Sequence, residues 1–401
     1  MKRVLLFMAI IPILMLLSGC WDRYELEERA MILAISIDVT DDREEVEKYE
    51  VTHSKGDFPV REDQKYYKLT AQLAVPGKIM LGPGGGEMNS EDTDWLLVTY
   101  GYTMKDALSN LQQELAAKIY LGHIQIIVVS EEIAKNGISE IMDFLRRDYE
   151  VQRSAWLMIT DGGEAQDILN ATPPIQTVPS LYLSNTLKDA VRFGKLPKEF
   201  LGKIWIDFSD IGVDAMIPLV KSMGDHILVH GLAYFKGDKM VGKLTPTDTG
   251  AILAIQGMNP AGYSNVVETE DQSGVYLIKP QRRKSKISVK LVDGEPKVTI
   301  NVKIEGFVEE QNHVNDLSKD RLEELEKTLS NYGEKALSKL MKRLQQDESD
   351  ILGIGARVRA KYPKYWHEKV KDDKGWYEVY KDLDIQIHLD YKIRRVGMEW
   401  K

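Results

Sequence analysis

The single cysteine of the 401-residue chain, Cys20, is the residue whose chemistry its surroundings define best. It ends the stretch Leu17-Ser18-Gly19-Cys20, in which a leucine and two small residues precede the thiol. This is the lipobox pattern of bacterial lipoproteins, because the small residues fit a narrow peptidase site and the sulfur accepts a diacylglyceryl group. We therefore predict an S-diacylglyceryl group on Cys20, whose amino group can also carry a palmitoyl chain after cleavage.

The residues before Cys20 have the composition of a secretory signal. Lys2 and Arg3 form a positive start, and residues 4–17 are an apolar run of 14. As a helix this run reaches roughly 21 Å, short of a hydrocarbon core of about 30 Å. We predict that residues 1–19 are a signal peptide; the alternatives are a signal with an incidental cysteine and an uncleaved anchor. Two acyl chains would hold the mature chain stably on the outside of a membrane.

Two other motifs that could carry chemistry are incomplete. The glycine-rich residues 82–86 are followed by Glu87, whereas a phosphate-binding loop needs Gly-Lys-Ser/Thr leading into a helix. His367-Glu368 begins a zinc-protease motif, but Lys371 stands where the second histidine is required. We therefore interpret the glycine-rich residues as a surface loop and reject the zinc-protease motif.

The remaining histidines and carboxylates form no recognisable catalytic or metal-binding pattern. His226 and His230 lie in a stretch that predicts a strand, where their side chains stand about 13 Å apart, too far for one ion. There is no Gly-x-Ser-x-Gly motif, and lipidation consumes the only thiol. The sequence therefore predicts no enzyme, no metal site and no cofactor.

Two clusters of side chains could form contact surfaces. Basic residues are concentrated between positions 281 and 303, and aromatic residues between 362 and 380. The basic set is Arg282, Arg283, Lys284, Lys286, Lys290, Lys297 and Lys303. We interpret it as the solvated face of a hairpin whose charge opposes aggregation; contact with anionic lipid or an acidic partner is the alternative. The aromatic set is more typical of core packing than of an interface.

Composition excludes several classes of protein. Lys and Arg total 53 against 62 Asp and Glu, so the net charge is −9, which disfavours nucleic acid as a partner. The 43% of hydrophobic and 29% of charged residues are typical of a globular protein. One cysteine excludes an intramolecular disulfide and a cysteine-rich zinc site.

The elements that must position these residues follow from hydrophobic periodicity. Residues 31–39, 94–100, 123–129 and 155–159 predict buried strands, and Thr103 can cap a helix with apolar residues at helical spacing. Alternation of helices with such strands predicts a sheet covered by helices.

The C-terminal part has the clearest local signals. Alternating apolar residues on both sides of Asp293-Gly294 predict a hairpin. Ser318 can cap a long helix that continues beyond Gly333, and residues 383–393 alternate as a strand with one polar face. One polar face favours an antiparallel sheet.

The predicted fold class is therefore α+β, with several domains built on mixed or antiparallel sheets that helices cover. The C-terminal domain is predicted to combine a β-hairpin, a long helix and a β-strand. We place an N-terminal α/β region at 20–200, a linker or boundary at 201–225, and a C-terminal α+β region at 226–401, with a further division near residue 280. The length is sufficient for two or three domains.

Several segments, in a consistent order over nearly the whole mature chain, resemble the C-subunit lipoproteins of Ger-type spore germinant receptors. These segments are Cys20-Trp21-Asp22-Arg23, Leu121-Gly122-His123-Ile124, Ser130-Glu131-Glu132-Ile133-Ala134, Asp143-Phe144-Leu145-Arg146-Arg147-Asp148, Gly231-Leu232-Ala233-Tyr234-Phe235-Lys236, Gly353-Ile354-Gly355 and Tyr362-Pro363-Lys364-Tyr365-Trp366. The resemblance implies several mixed α/β domains and no established catalytic residues, so only Cys20 is carried over as a site.

The same resemblance implies that the protein functions as part of a complex rather than as an enzyme. The expected role is a non-enzymatic lipoprotein subunit of a nutrient germinant receptor on the outer face of the spore inner membrane, needed to sense nutrients and start germination. The expected partners are the membrane-embedded A and B subunits and the lipid bilayer. A lipid-anchored solute-binding protein of a transporter is the alternative, and a cell-wall enzyme has no motif to support it.

Overall fold

The computed structural model describes residues 28–49, 65–75, 94–268, 274–312 and 318–396, apart from residues 172, 175 and 177. The predicted signal peptide, Cys20 and the glycine-rich residues 82–86 lie outside the described residues.

Strands account for much of the described chain. They are β1 (Arg29–Thr40), β2 (Tyr66–Ala74), β3 (Asp94–Gly101), β4 (Lys118–Tyr120), β5 (Ile126–Val129), β6 (Trp156–Thr160), β7 (Met216–Ser222), β8 (Ile227–Lys236), β9 (Lys239–Leu244), β10 (Asn265–Glu268), β11 (Val275–Val292), β12 (Glu295–Asn312) and β13 (Asp384–Val396).

Helices separate most of these strands. They are α1 (Arg43–Tyr49), α2 (Met104–Glu114), α3 (Glu131–Asn136), α4 (Ser139–Arg147), α5 (Gln166–Leu169), α6 (Pro179–Arg192), α7 (Leu201–Ser209), α8 (Pro246–Ile255), α9 (Lys319–Gln346), α10 (Ile354–Lys361), α11 (Pro363–Tyr365) and α12 (Asp373–Lys381), with a π-helical turn at Trp366–Val370. Among the described residues, none of these helices combines the length and the apolar character needed to cross a bilayer.

The first sheet is large and mixed. Within the described residues it has nine strands in the order β3-β2-β1-β5-β6-β7-β8-β9, with β4 paired to the start of β1. The neighbours β1-β5, β5-β6 and β6-β7 are parallel, whereas the outer pairs are antiparallel. The central strands β5 and β6 are buried along their whole length, as expected for parallel strands covered on both faces.

Helices cover both faces of this sheet. One apolar core lies under α2, α3, α4 and α7, and contains Leu111, Ile133, Leu145 and Leu201. The core on the opposite face, under α5, α6 and α8, is continuous with the core of the second sheet and α9. The predicted α+β class with mixed sheets covered by helices is therefore confirmed.

The second sheet is built on the predicted hairpin. Its order is β10-β11-β12-β13, and Val292 pairs with Glu295 across Asp293-Gly294. Asp293 and Gly294 have φ values of 54° and 84°, the left-handed conformation that a two-residue hairpin turn requires. The hairpin, the long helix that Ser318 caps and the final strand are all present as predicted.

The direction of the last strand differs from the expectation. The alternation of polar and apolar residues in β13 favours an antiparallel sheet, but β13 pairs with β12 in parallel. The chain crosses from β12 to β13 through α9 to α12, and such a long crossover returns the strand in the same direction. A polar face on a strand does not define its direction, because it only requires that one side be exposed.

Residues 201–225, predicted as a linker or boundary, contain α7 and β7. β7 lies inside the first sheet, and β8 and β9 continue that sheet to Leu244. The division of the chain into domains remains a prediction.

Candidate functional site

Cys20, the one site residue predicted from the sequence, lies outside the described residues, so its lipidation remains a prediction. The segments that carry the family resemblance are mostly within the described chain. Several of these segments contribute to polar clusters.

The first polar cluster lies at the carboxyl ends of β5 and β6, where open α/β sheets often bind ligands. Glu131 follows β5 at the start of α3, and Asp161 follows β6. Lys243 of β9 donates to Glu131 Oε2 at 2.8 Å and to Asp161 Oδ1 at 2.5 Å. Asp161 Oδ2 also lies 3.3 Å from His230 Nε2.

The charges of this cluster neutralise one another. Burial opposes ionisation of Glu131, but hydrogen bonds from Lys135 and Lys243 hold its pKa below its ordinary value. Burial likewise opposes the charge of Lys243, but its bonds to Asp161 and Glu131 raise its pKa. The cluster therefore links α3, which begins in one of the resembling segments, to β6 and β9.

Asp38, near the end of β1, makes a similar connection. Its carboxylate accepts the N–H groups of Ala165 and Gln166 at 2.7 and 3.1 Å, at the start of α5. Burial raises the pKa of Asp38 to about 6, although these N–H donors oppose the shift. This carboxylate satisfies backbone donors that the first turn of α5 leaves without helical partners.

The second polar cluster joins the first sheet to the C-terminal helices. Asp350 precedes α10, and its carboxylate accepts N–H groups from Ile354 at 3.0 Å, Gly355 at 2.7 Å and Trp376 Nε1 at 3.0 Å. Asp214, which precedes β7, accepts the Asp350 N–H at 2.8 Å. The resembling segment at 353–355 is thus held directly against the first sheet.

Asp214 has two further donors on either side of this junction. It accepts the Gly237 N–H and the Tyr377 hydroxyl, each at 2.9 Å. Burial raises the pKa of Asp214 to about 6 and that of Asp350 to about 7. Neither residue is predicted as a site from the sequence. The one local signal is an aspartate, Asp350, four residues before the first residue of a helix that begins Ile-Gly.

The aromatic cluster is part of the core, as predicted. Trp366 and Trp376 stack with ring centroids 5.7 Å apart, and both are buried. Tyr380 is also buried, 6.0 Å from Trp376. Close packing explains Gly355, because a Cβ there would lie 2.6 Å from Trp376 Cε2.

The basic segment differs from the prediction at one residue. Six of its seven side chains are exposed, as a solvated face requires. Arg283 is the exception, since it is buried in the core side of the second sheet. The interpretation of Arg283 as solvated was wrong.

The histidine pair lies on or beside a strand. His230 is within β8, and His226 directly precedes that strand and contacts Asp225 at 2.6 Å. Within the described ranges, no group of three or more His, Cys, Asp or Glu side chains is arranged to hold a metal ion. The described residues thus form an α+β protein in which paired charges connect the layers of the fold.

Family models define the class of this protein. A model described as the spore germination protein N-terminal domain matches residues 22–222, and one described as spore germination B3/GerAC-like, C-terminal, matches residues 230–397. The chain belongs to this GerAC-like family of spore germination proteins. The resemblance to Ger-type C subunits is thereby confirmed.

Individual relatives share the full length of the chain. Spore germination protein KC of Bacillus subtilis (strain 168) is 25% identical over 99% of this chain and 97% of its own. Spore germination protein B3 of the same organism is 25% identical, with 99% of both chains covered. Their names denote germination proteins and no enzymatic activity.

A solved structure shares the fold. The crystal structure of the GerBC protein matches with a TM-score of 0.55 and 20% identity, covering 93% of this chain and 99% of that one. The chain therefore shares its overall fold with the GerBC protein.

Proposed function

We propose that this chain is a lipid-anchored, non-catalytic subunit of a spore nutrient germinant receptor. The observation that carries the proposal is the match of the two spore germination models, which together extend from residue 22 to residue 397. Full-length similarity to germination proteins KC and B3 supports the same role.

The anchor is the proposed thioether on Cys20. The first family model begins at residue 22, two positions after this cysteine, which fits a mature chain that starts at Cys20. An S-diacylglyceryl group with an N-palmitoyl chain would hold the protein on the outer face of the spore inner membrane. Two or more acyl chains are sufficient for stable attachment, whereas one is marginal.

The proposed partners are the membrane-embedded A and B subunits of the receptor. A shared membrane confines all subunits to one surface, which raises their effective concentration and allows weak individual contacts to persist. The protein would then contribute to nutrient sensing by its position in the complex.

The polar clusters of the described residues support a structural role for their charges. Glu131, Asp161 and Lys243 bond to one another, and Asp214 and Asp350 bond to backbone donors. The solute-binding alternative needs two similar lobes, but the sheets of the described chain differ, with nine and four strands. We therefore do not favour it.

The test is germination of spores that carry Cys20→Ala in place of the wild-type chain. We expect normal amounts of folded protein, loss of membrane retention, and a germination response to nutrients reduced at least tenfold. The response is measured as the fall in optical density across a panel of amino acids and sugars.

A matched control separates the anchor from the cysteine itself. Cys20→Ala preceded by a single transmembrane helix restores the tether without the lipid, and we expect it to restore germination. Wild-type germination by released Cys20→Ala protein would contradict the proposal, as would recovery of an unacylated wild-type chain by mass spectrometry of the spore membrane.

A further inference from the structure

A cavity of about 520 Å³ lies between the second sheet and the helices α8 and α9. Its volume is within the range of small-molecule sites in proteins. Val266 and Tyr332 are among its lining residues and are 72% and 69% exposed, so the cavity opens to solvent between β10 and α9.

The walls of this cavity are largely apolar. Buried residues from three elements contribute, among them Ile304 of β12, Leu329 of α9 and Leu389 of β13. Ala251 and Ala336, on α8 and α9, leave room where larger side chains would fill it. The apolar part of a small molecule can pack against such walls.

Arg283 is the buried charge on this cavity. Its side chain is only 4% exposed, and its Nε and Nη1 atoms have no hydrogen-bond partner among the described residues. Glu268, also on the lining, is exposed. A buried guanidinium with free donors is costly, so this arrangement favours an oxyanion that supplies the missing acceptors.

A β-bulge is what turns Arg283 inward. Tyr276 and Ile278 are buried on the core side of β11, so even-numbered residues face inward there. The register shifts between Pro280 and Arg282, and beyond it the odd-numbered residues Arg283 and Val289 are buried instead. One extra residue in a strand reverses which side chains face the core.

The backbone fixes this orientation. Asn259 accepts the Arg283 N–H at 2.8 Å and donates to its carbonyl oxygen at 3.0 Å. The Tyr391 side chain is buried and also lines the cavity. The backbone of Arg283, from which the side chain extends towards the cavity, is therefore held by Asn259.

We propose that this cavity binds a small carboxylate with an apolar body, whose head group pairs with Arg283. A guanidinium presents donors in a planar fork that matches both oxygens of a carboxylate. A single buried cation suits a head group with one negative charge, which favours a carboxylate over a phosphate monoester. The inference does not depend on the receptor role or on lipidation.

The test is calorimetric titration of the whole chain in lipid nanodiscs with 4-phenylbutyrate, corrected with protein-free nanodiscs. We expect saturable binding at one site per chain. Acetate lacks the apolar phenylpropyl group of 4-phenylbutyrate, and 4-phenyl-1-butanol lacks its carboxylate. We expect both to bind at least tenfold more weakly than 4-phenylbutyrate. Absence of saturable 4-phenylbutyrate binding at millimolar concentration would overturn the proposal, and tighter binding of 4-phenylbutyl phosphate would overturn the carboxylate assignment.

Substitutions distinguish a ligand-binding role of Arg283 from a purely structural one. Arg283→Met should weaken 4-phenylbutyrate binding at least tenfold without lowering the melting temperature, because it replaces an unpaired buried charge by an apolar side chain. Arg282→Met, at the exposed neighbouring position, is the matched control and should bind as the wild type does. Ala336→Phe should fill the cavity and abolish binding with Arg283 intact. Equal binding by Arg283→Met and the wild type would overturn the proposal.

Discussion

Asp350 shows how the environment of one residue sets its charge. Its carboxylate is completely buried yet accepts three N–H groups, from Ile354, Gly355 and Trp376. Removal from water disfavours the ionised form more than these donors favour it, so the pKa rises from its ordinary value of 3.8 to about 7. We therefore expect the stability of the junction between the first sheet and α10 to depend on pH.

We expect the Asp350 carboxylate to reduce stability as the pH rises. Between pH 3.8 and about 7 the folded protein binds more protons at this group than the unfolded chain, so the free energy of unfolding falls with increasing pH. Between pH 5 and 8 this effect amounts to roughly 3 kcal/mol. Urea unfolding measures the free energy of unfolding at pH 5 and pH 8. Its fall between these pH values should be smaller in Asp350→Asn than in the wild type by about this amount.

Asp390→Asn is the matched control, since Asp390 is exposed on β13. The free energy of unfolding of the Asp390→Asn protein should change with pH as that of the wild type does. Asp38, Glu199 and Asp214 also have pKa values raised by burial, and these carboxylates are present in all three proteins. An identical slope in Asp350→Asn and the wild type would contradict the assignment.

Features of the helices and strands that depend on neighbouring residues were predictable from the sequence, whereas features that depend on tertiary contacts were not. The β11–β12 hairpin followed from Asp293-Gly294, and the start of α2 from Thr103, because turn and cap chemistry act within a few residues. The parallel direction of β13 and the inward turn of Arg283 depend on a crossover and a bulge, which periodicity alone does not encode. The pairing of Asp214 with Asp350 joins residues 136 positions apart, so no local pattern could predict it.

The close packing of α10 against Trp376 and Gly212 leaves no room for a side chain at Gly355. Helix propensity alone would make Gly355→Ala stabilising by about 1 kcal/mol. A Cβ at this position, however, would lie 2.6 Å from Trp376 Cε2 and 2.8 Å from the Cα of Gly212. We expect Gly355→Ala to lower the free energy of unfolding by about 2 kcal/mol, measured by urea denaturation.

Gly333→Ala in α9 is the matched control for this helix glycine. The nearest atom to its Cβ is the end of the Leu389 side chain, which can rotate away. We expect a change within about 1 kcal/mol. Equal stability of Gly355→Ala and the wild type would show that α10 does not pack against Gly212 and Trp376 as described.

Within the described residues, the regions that the two family models match share one apolar core. Met158 of β6 and Leu187 of α6 belong to the same apolar cluster as Ile300 of β12 and Leu340 of α9. The first family model ends at residue 222, the end of β7, and the second begins at residue 230, within β8 of the same sheet. Family boundaries and packing units therefore do not coincide in this chain.

We expect the whole chain to unfold in one cooperative transition, because neither sheet can separate without exposing the shared core and breaking the Asp214–Asp350 junction. Calorimetry should give one peak with equal calorimetric and van't Hoff enthalpies. Native-state hydrogen exchange should give the same opening free energy for β6 and β12.

Asp214→Ala removes an acceptor of three hydrogen bonds at the junction, and we expect it to lower the stability of both strands equally. Loss of protection in β12 alone would show instead that the C-terminal sheet opens independently, and the shared core would then contribute little to stability.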